Sequence, residues 1–398
     1  MAEVFFARQP SPSEIRRRVE GFQSWLEVDL DAITTNIERT RAKVGVELIP
    51  CVKTNAYGHG IVPVVAHMMT CGVKTFLVAK LWEAETLRDA GLDCGVVCMD
   101  PLFTDEQFET VVSRNITHTV YSLDVAEQLS RAGKKLGKKA LVWIKLDTGL
   151  GRVGVRWTDA AEFVKKVAKV PNVEITGLFS TLSEEAEFDK VQVERMKEVS
   201  ATLDKLGIKY GVRSMASSNA VFHREFSYLD AVRPGLMLYG LYPEPEDRGQ
   251  GIELVQSFRF MARIEQVKTV ESGETLTYSR RFTAPRRMRV GTCHIGYSDG
   301  YPRGLTKKGL VRVEGKIKNV LGTVSVNHIL VDLDGTDAKV GDAIEAIGKE
   351  GENAANRVAD EAGIMIYSLM VAFSPLTPRV YTRGGVPVAL SEPFLTER

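Results

Sequence analysis

A lysine follows the apolar run "VELIPCV" at residues 46–52 and opens the polar stretch "KTNAYGHG". Where a strand meets water, an isolated lysine is ordinarily a solvated charge. At the end of a buried strand its amine has a second use, because it can hold a carbonyl cofactor as a Schiff base, most often pyridoxal phosphate. Other residues with chemistry to offer stand at comparable places. Lys145 and Arg152 bracket "KLDTGLGR", Ser180 and Thr181 follow "VEITGLF", Ser217 and Ser218 follow "YGVRSMA", and Arg233 opens "RPG". Singly, each has an ordinary explanation as a surface cation or a helix-capping hydroxyl. Together they cluster at the ends of apolar runs, with Arg233 bracketing the last of them.

A phosphorylated cofactor needs backbone N–H groups at a turn or helix start, with hydroxyl donors beside them, and "SSNA" and "RPGL" offer both. Its pyridine nitrogen needs a partner. A guanidinium there keeps its own proton, leaves the ring nitrogen unprotonated and makes the cofactor a weaker electron sink. That tuning favours returning a proton to Cα over wider carbanion chemistry.

The elements that must position these residues are legible as alternation. Eight apolar runs, at 46–52, 75–79, 94–99, 117–122, 139–147, 173–180, 210–216 and 236–240, alternate with amphipathic stretches such as "SLDVAEQLSRAGKKLG". The count predicts an α/β fold with a parallel (β/α)8 barrel over 23–254, whose active-site residues lie at the carboxyl ends of its strands. On pattern alone a doubly wound open sheet is the alternative. Beyond residue 255 short alternating runs joined by Gly, Asp and Ser turns predict a mainly β domain over 255–398, interrupted by the helix "NAANRVADEAG". Residues 1–22 form an extension whose "EIRRRVEGF" reads as a solvated helix.

With 52 basic and 51 acidic residues in 398, the net charge of +1 gives no reason to expect nucleic acid or an anionic membrane as partner. Five cysteines form no C-x-x-C pair, and no apolar run is long enough to span a bilayer, so a soluble cytoplasmic protein is expected. His59, His118 and His328 show no metal-ligand spacing, and no metal is expected.

From "WLEVDLDAITTNI" onward the chain resembles the alanine racemase family, pyridoxal phosphate enzymes of fold type III, through five ordered motifs: "VKTNAYGHG", "IKLDTGLGRVGV", "RPGLMLYGLYP", "LTYSRRFTA" and "IGYSDGYPRGL". The resemblance implies a barrel followed by a β domain, a head-to-tail homodimer with shared active sites, and interconversion of L- and D-alanine by two-base proton transfer. It implies that Lys53 carries the cofactor and that Tyr57 and Ser218, with the backbone near Gly235 and Leu236, bind its phosphate. Arg233 would face the pyridine nitrogen and Leu81 pack beside the ring. Arg152 would meet the phenolic oxygen or the substrate carboxylate, oriented by Lys145, which many relatives carry as a carbamate. Tyr278, reaching across from the partner subunit, would be the second acid/base, with Tyr297 and Val326 lining the substrate entrance.

The sequence departs from that pattern at five places. Thr181 stands where the family has a histidine linking the tyrosine to the pyridine-side arginine. Val326 and Asn327 replace Met-Asp, Ser214 replaces the histidine of "HxANSA", and Pro375 stands where many relatives place a tyrosine at the pocket mouth. A racemase or epimerase of a larger or basic amino acid (serine, lysine, ornithine) is therefore a second expectation. More remote are a decarboxylase of the same fold and a non-catalytic cofactor-binding homologue.

Overall fold

A computed structural model describes residues 2–249 and 251–392. Eight short parallel strands carry the first part of the chain: Glu47–Leu48, Thr75–Val78, Gly95–Cys98, Thr117–Val120, Ala140–Asp147, Val173–Phe179, Val212–Ser214 and Ala231–Val232. The second to the seventh lie side by side in sequence order, and the eighth sits between the seventh and the first. The remaining gap is closed by the parallel bridge Cys51–Leu77. There the Leu77 N–H donates to Pro50 O and the Val52 N–H to Leu77 O, both at 2.9 Å. The sheet is a barrel and not an open doubly wound sheet.

Side-chain alternation explains the closure. Ile49, Leu77, Val97, Trp143, Phe179 and Ala231 point inward and fill the barrel as one buried cluster. Val96, Val142, Ile144 and Leu178 point outward into the larger core beneath the helices. Trp143 fits only because residue 177 is glycine, since a Cβ there would stand 2.5 Å from the indole.

Seven of the eight strands fall within the expected runs; the last does not. Residues 236–240 were expected as a strand, whereas Leu236–Tyr239 is a fully buried 3-10 helix and the strand is Ala231–Val232. Pro234 has no N–H to give a ladder, and Gly235 turns the chain (φ −127°, ψ −88°). A short apolar run buried on all sides does not distinguish strand from helix by periodicity.

The second unit contains a nine-stranded sheet. Its long strand Phe258–Val270 pairs with Met288–Cys293 at one end and Ala343–Ile347 at the other. Through Leu310–Val313, Lys316–Leu321 and Ile329–Asp332 the pairings return on themselves. Ser24–Asp29, placed by sequence position at the head of the barrel unit, is instead hydrogen-bonded here, antiparallel to Phe258–Val270 and parallel to Arg379–Arg383. The helix Ala355–Ala362 falls within the expected stretch, and Ile366–Val371 forms a further one.

The N-terminal extension is not merely solvated. Ser11 caps the helix Pro12–Val19, accepting from the Glu14 N–H at 3.2 Å, and Ile15 is fully buried against Trp25, Met261 and Val380. The arginines of "EIRRRV" do face outward; the isoleucine docks the helix on the β domain.

Candidate active site

Immediately after the bridge that closes the barrel, the chain makes a left-handed helical turn. Thr54, Asn55 and Ala56 have φ of 55°, 55° and 53° with ψ of 51°, 49° and 50°, and Tyr57 has φ 51°. Left-handed helix costs roughly 1–2 kcal/mol for each non-glycine residue, so four in succession persist only if their surroundings impose the conformation. Two side chains do so. Glu83, fully buried, accepts from the Asn55 N–H (3.0 Å) through one carboxylate oxygen and from the Ala79 and Lys80 N–H groups (3.0 Å each) through the other. The Asn55 side chain accepts from the Ile61 N–H at 2.8 Å.

The β domain braces the same segment. Arg379 donates to Gly58 O (2.8 Å), Tyr381 to His59 O (2.8 Å), and His59 Nε2 meets Ser257 Oγ at 3.0 Å. Burial lowers the His59 pKa to about 3, and the ring stacks on Tyr239, so this histidine is a neutral strut. Lys53, part-buried, heads the turn, and its amine makes no hydrogen bond among the described residues.

At the end of the sixth strand two buried cations are held on consecutive residues. Arg233, 7% exposed, donates to Ser180 O at 2.6 Å, and Lys145, 5% exposed, donates to Thr181 Oγ1 at 2.7 Å. Both lie against the Phe179 ring, at 5.2 and 4.8 Å from its centroid. Burial lowers the Arg233 pKa to about 10, which leaves it charged at neutral pH. Its Nη1 is buried without a hydrogen-bond partner among the described residues. Burial, then the charges of Arg233 and Arg152, depress the Lys145 pKa well below the ordinary lysine value. Arg152 itself is exposed, on a loop shaped by Asp147, which accepts from the Gly149 and Gly151 N–H groups at 3.0 Å each.

A hydroxyl-lined cradle adjoins the eighth strand. Ser218 Oγ accepts from the N–H groups of Gly235 (2.9 Å) and Met237 (3.4 Å), leaving its own proton free to donate. A Cβ at residue 235 would stand 2.8 Å from the Tyr57 hydroxyl, so glycine is what lets that phenol approach the turn. Burial raises the Tyr57 pKa and keeps the phenol a donor. Leu236 is fully buried at the start of the 3-10 helix, and Leu81, 6% exposed, gives its N–H to Asp100 at 2.9 Å.

The remaining expected residues are on the β domain, with side chains open to solvent. Tyr278 is 73% exposed, and its hydroxyl makes no hydrogen bond among the described residues. Its loop is nonetheless fixed. Thr277 has φ 65° and accepts from the Thr323 N–H at 3.0 Å, while Thr323 Oγ1 donates to Tyr278 O at 3.3 Å. Tyr297 and Val326 are 43% and 47% exposed on adjoining loops, joined where the Tyr297 N–H donates to Ser325 O and the Ser298 N–H to Val326 O.

Both halves of this arrangement match known sequences. The model for the alanine racemase N-terminal domain matches residues 28–243, and that for the C-terminal domain matches 257–381. The chain belongs to the alanine racemase family. It is 32% identical over 371 residues to an alanine racemase of Clostridium perfringens, covering 91% of this chain and 96% of the relative. Against one from Desulforamulus reducens it is 34% identical over 368 residues, covering 90% and 98%. The solved alanine racemase of Clostridium difficile superposes with a TM-score of 0.88 at 28% identity, covering 94% of this chain and all of that one. That of Bacillus anthracis, solved with bound L-Ala-P, gives 0.84 at 26% identity, covering 93% and 97%. The protein is thus an isomerase, an amino-acid racemase of the alanine racemase type.

Within this racemase Lys53, Tyr57, Leu81, Lys145, Ser218, Arg233, Gly235 and Leu236 lie at or just beyond the carboxyl ends of the barrel strands. Glu83 and the Asn55 side chain went unread; the available signal is an acid shortly after the second apolar run, a position where helix-capping residues are common. Thr181, taken for a lost histidine, is the hydrogen-bond partner of Lys145. A cleft of about 500 Å³ lined by Tyr242, Arg248, Gln256, Lys349 and Arg357 includes none of the expected site residues. No helix among the described residues is long and apolar enough to cross a membrane.

No metal-ligand spacing was read for His328 in the sequence; the fold brings it together with His294 and Glu265, with their donor atoms all within 4.8 Å of one another. Glu265 lies in the strand Phe258–Val270, while His294 follows Met288–Cys293 and His328 precedes Ile329–Asp332, so no spacing within one segment reveals them.

Proposed function

We propose that this racemase interconverts L- and D-alanine with pyridoxal phosphate, using Lys53 and Tyr278 of the partner subunit as the two acid/base groups. The observation that carries the reading is the orphaned Nη1 of Arg233. A buried guanidinium N–H without a partner is costly, and a pyridine nitrogen at that position would accept from it. Tyr57, Ser218 and the backbone at Gly235 and Leu236 fit the phosphate, and Leu81 fits the ring face. Bound pyridoxal phosphate supplies the electron sink that makes the substrate Cα proton removable.

The chain's own groups do the rest. Arg233 keeps its proton and donates. Lys53, on a turn the fold forces into one shape, moves the Cα proton on one face. Inverting a carbon needs an acceptor on each face, and Tyr278 is the exposed group available for the other. Arg152 supplies the cation for a carboxylate. Lys145 fits the role of a carbamate, since burial and two guanidiniums disfavour the charged amine, and adding an anion there turns repulsion from Arg152 and Arg233 into attraction. Isotopically labelled bicarbonate should give a carbamate signal that disappears in Lys145→Ala; no signal in the wild type would remove this role. For the cofactor, purified protein should absorb visible light, and borohydride should fix the cofactor to the peptide containing Lys53. Label on any other lysine overturns the assignment.

One observation favours a broader substrate range. Pro375 is exposed beside the entrance loop, with the neighbouring Ser374 N–H donating to Asp299 O at 3.2 Å, two residues from Tyr297. Proline offers neither the volume nor the hydroxyl of a tyrosine. Because discrimination amounts to only about 1–3 kcal/mol per methylene, we expect measurable turnover of at least one larger amino acid among serine, lysine and ornithine. Pro375→Tyr should depress it more than alanine turnover. Racemisation of alanine alone by the wild type would show that the departure is neutral.

A further inference from the structure

Glu265, His294 and His328 converge on one edge of the β domain for a reason visible in the strand register. Cys293 pairs with Ile329 in the antiparallel ladder, so the residues one step beyond, His294 and His328, are cross-strand neighbours, with ring centroids 4.9 Å apart. On the other side Cys293 pairs with Ile264, and the register then slips at Glu265. The slip places Glu265 opposite the same strand end and aims its carboxylate between the imidazoles. Its Oε2 lies 3.1 Å from His294 Nδ1 and its Oε1 lies 3.0 Å from His328 Nε2.

We propose that these three side chains bind one divalent transition-metal ion of the zinc class. Two imidazole nitrogens and a carboxylate are the borderline donor set that zinc takes at about 2.0–2.2 Å, and two ligands at that range stand about 2.9–3.4 Å apart. Both nitrogen–carboxylate separations already fall there. The two imidazole side chains are 40% and 41% exposed, so an ion can reach them from solvent. Asp299 adds a carboxylate within electrostatic reach of both rings. Three protein donors leave at least one position for water. The site does not depend on the racemase mechanism, so its failure would leave that reading untouched.

The four other histidines allow a clean test. His59, His67 and His118 are buried, and His223 is part-exposed and paired with Asp247 at 2.6 Å. Untagged, cofactor-loaded protein is treated with chelator and dialysed against Zn²⁺. We expect one equivalent per chain, a higher melting temperature on zinc addition, and at least about tenfold weaker binding in each of His294→Ala, His328→Ala and Glu265→Gln. The double variant His294→Ala/His328→Ala should lose both the equivalent and the thermal shift, while His223→Ala keeps both. The proposal is overturned if the wild type takes up less than one equivalent, if the double variant retains it, or if His223→Ala removes it.

Discussion

Mixing Lys53→Ala and Tyr278→Phe subunits, each expected to be inactive alone, should restore racemisation. Either change removes one of two proton-transfer groups, and such groups contribute about 10²–10⁴-fold each. In the proposed reading Lys53 also anchors the cofactor, so its loss should fall at or beyond the upper end. The structure motivates the sharing. Lys53 stands on a rigid turn at the barrel end, whereas the Tyr278 phenol is 73% exposed on a fixed loop of the β domain. A phenol left in water cannot serve a site from which water must be excluded. In the proposed head-to-tail pair, closed by a two-fold axis, the neighbouring barrel would cover it. After free 1:1 exchange half the dimers are hybrids with one intact site in two, so activity should reach about a quarter of wild type. Verified exchange without recovery would show that both groups act within one chain.

Legibility followed locality. Seven strands were readable because each is an apolar run bounded by turn chemistry, and Lys53, Lys145 and Ser218 could be singled out because strand ends are where such a barrel exposes side chains; Arg233 precedes the run expected as the eighth strand and was singled out through its motif. The eighth strand was lost to Leu236–Tyr239, an apolar run that curls where Pro234 and Gly235 deny it a ladder. Ser24–Asp29 was misplaced because nothing local shows that its partners lie more than 200 residues away. The Glu265, His294 and His328 cluster was invisible for the same reason, since it exists only once three strands are in register. Backbone handedness was the deepest omission. "TNAY" contains no glycine, and no propensity argument assigns a left-handed turn to four such residues.

That turn makes Glu83 the residue through which the lysine is most easily disturbed without touching it. Its two oxygens serve different structures: Oε1 holds the Asn55 N–H inside the turn, and Oε2 holds the Ala79 and Lys80 N–H groups where the second strand gives way to the Leu81 helix. Glu83→Leu takes the acceptor from three part-buried donors, each costing up to about 1–3 kcal/mol where water cannot replace it, which is a large share of a domain's ordinary stability. Glu83→Gln is the sharper probe. A glutamine keeps one acceptor, which satisfies the greater number of donors at Ala79 and Lys80, and sets its NH₂ against the Asn55 N–H. The strand end then survives while the turn loses its clamp, with the strain of four left-handed residues free to relax. Displacing Lys53 by an ångström is expected to lower kcat about 100-fold and to speed cofactor loss, with KM for alanine changing much less because Arg152 is untouched. Melting temperature should fall less for Glu83→Gln than for Glu83→Leu. A glutamine variant with wild-type kcat and wild-type cofactor retention would mean that the β-domain contacts from Arg379, Tyr381 and Ser257 hold the turn by themselves.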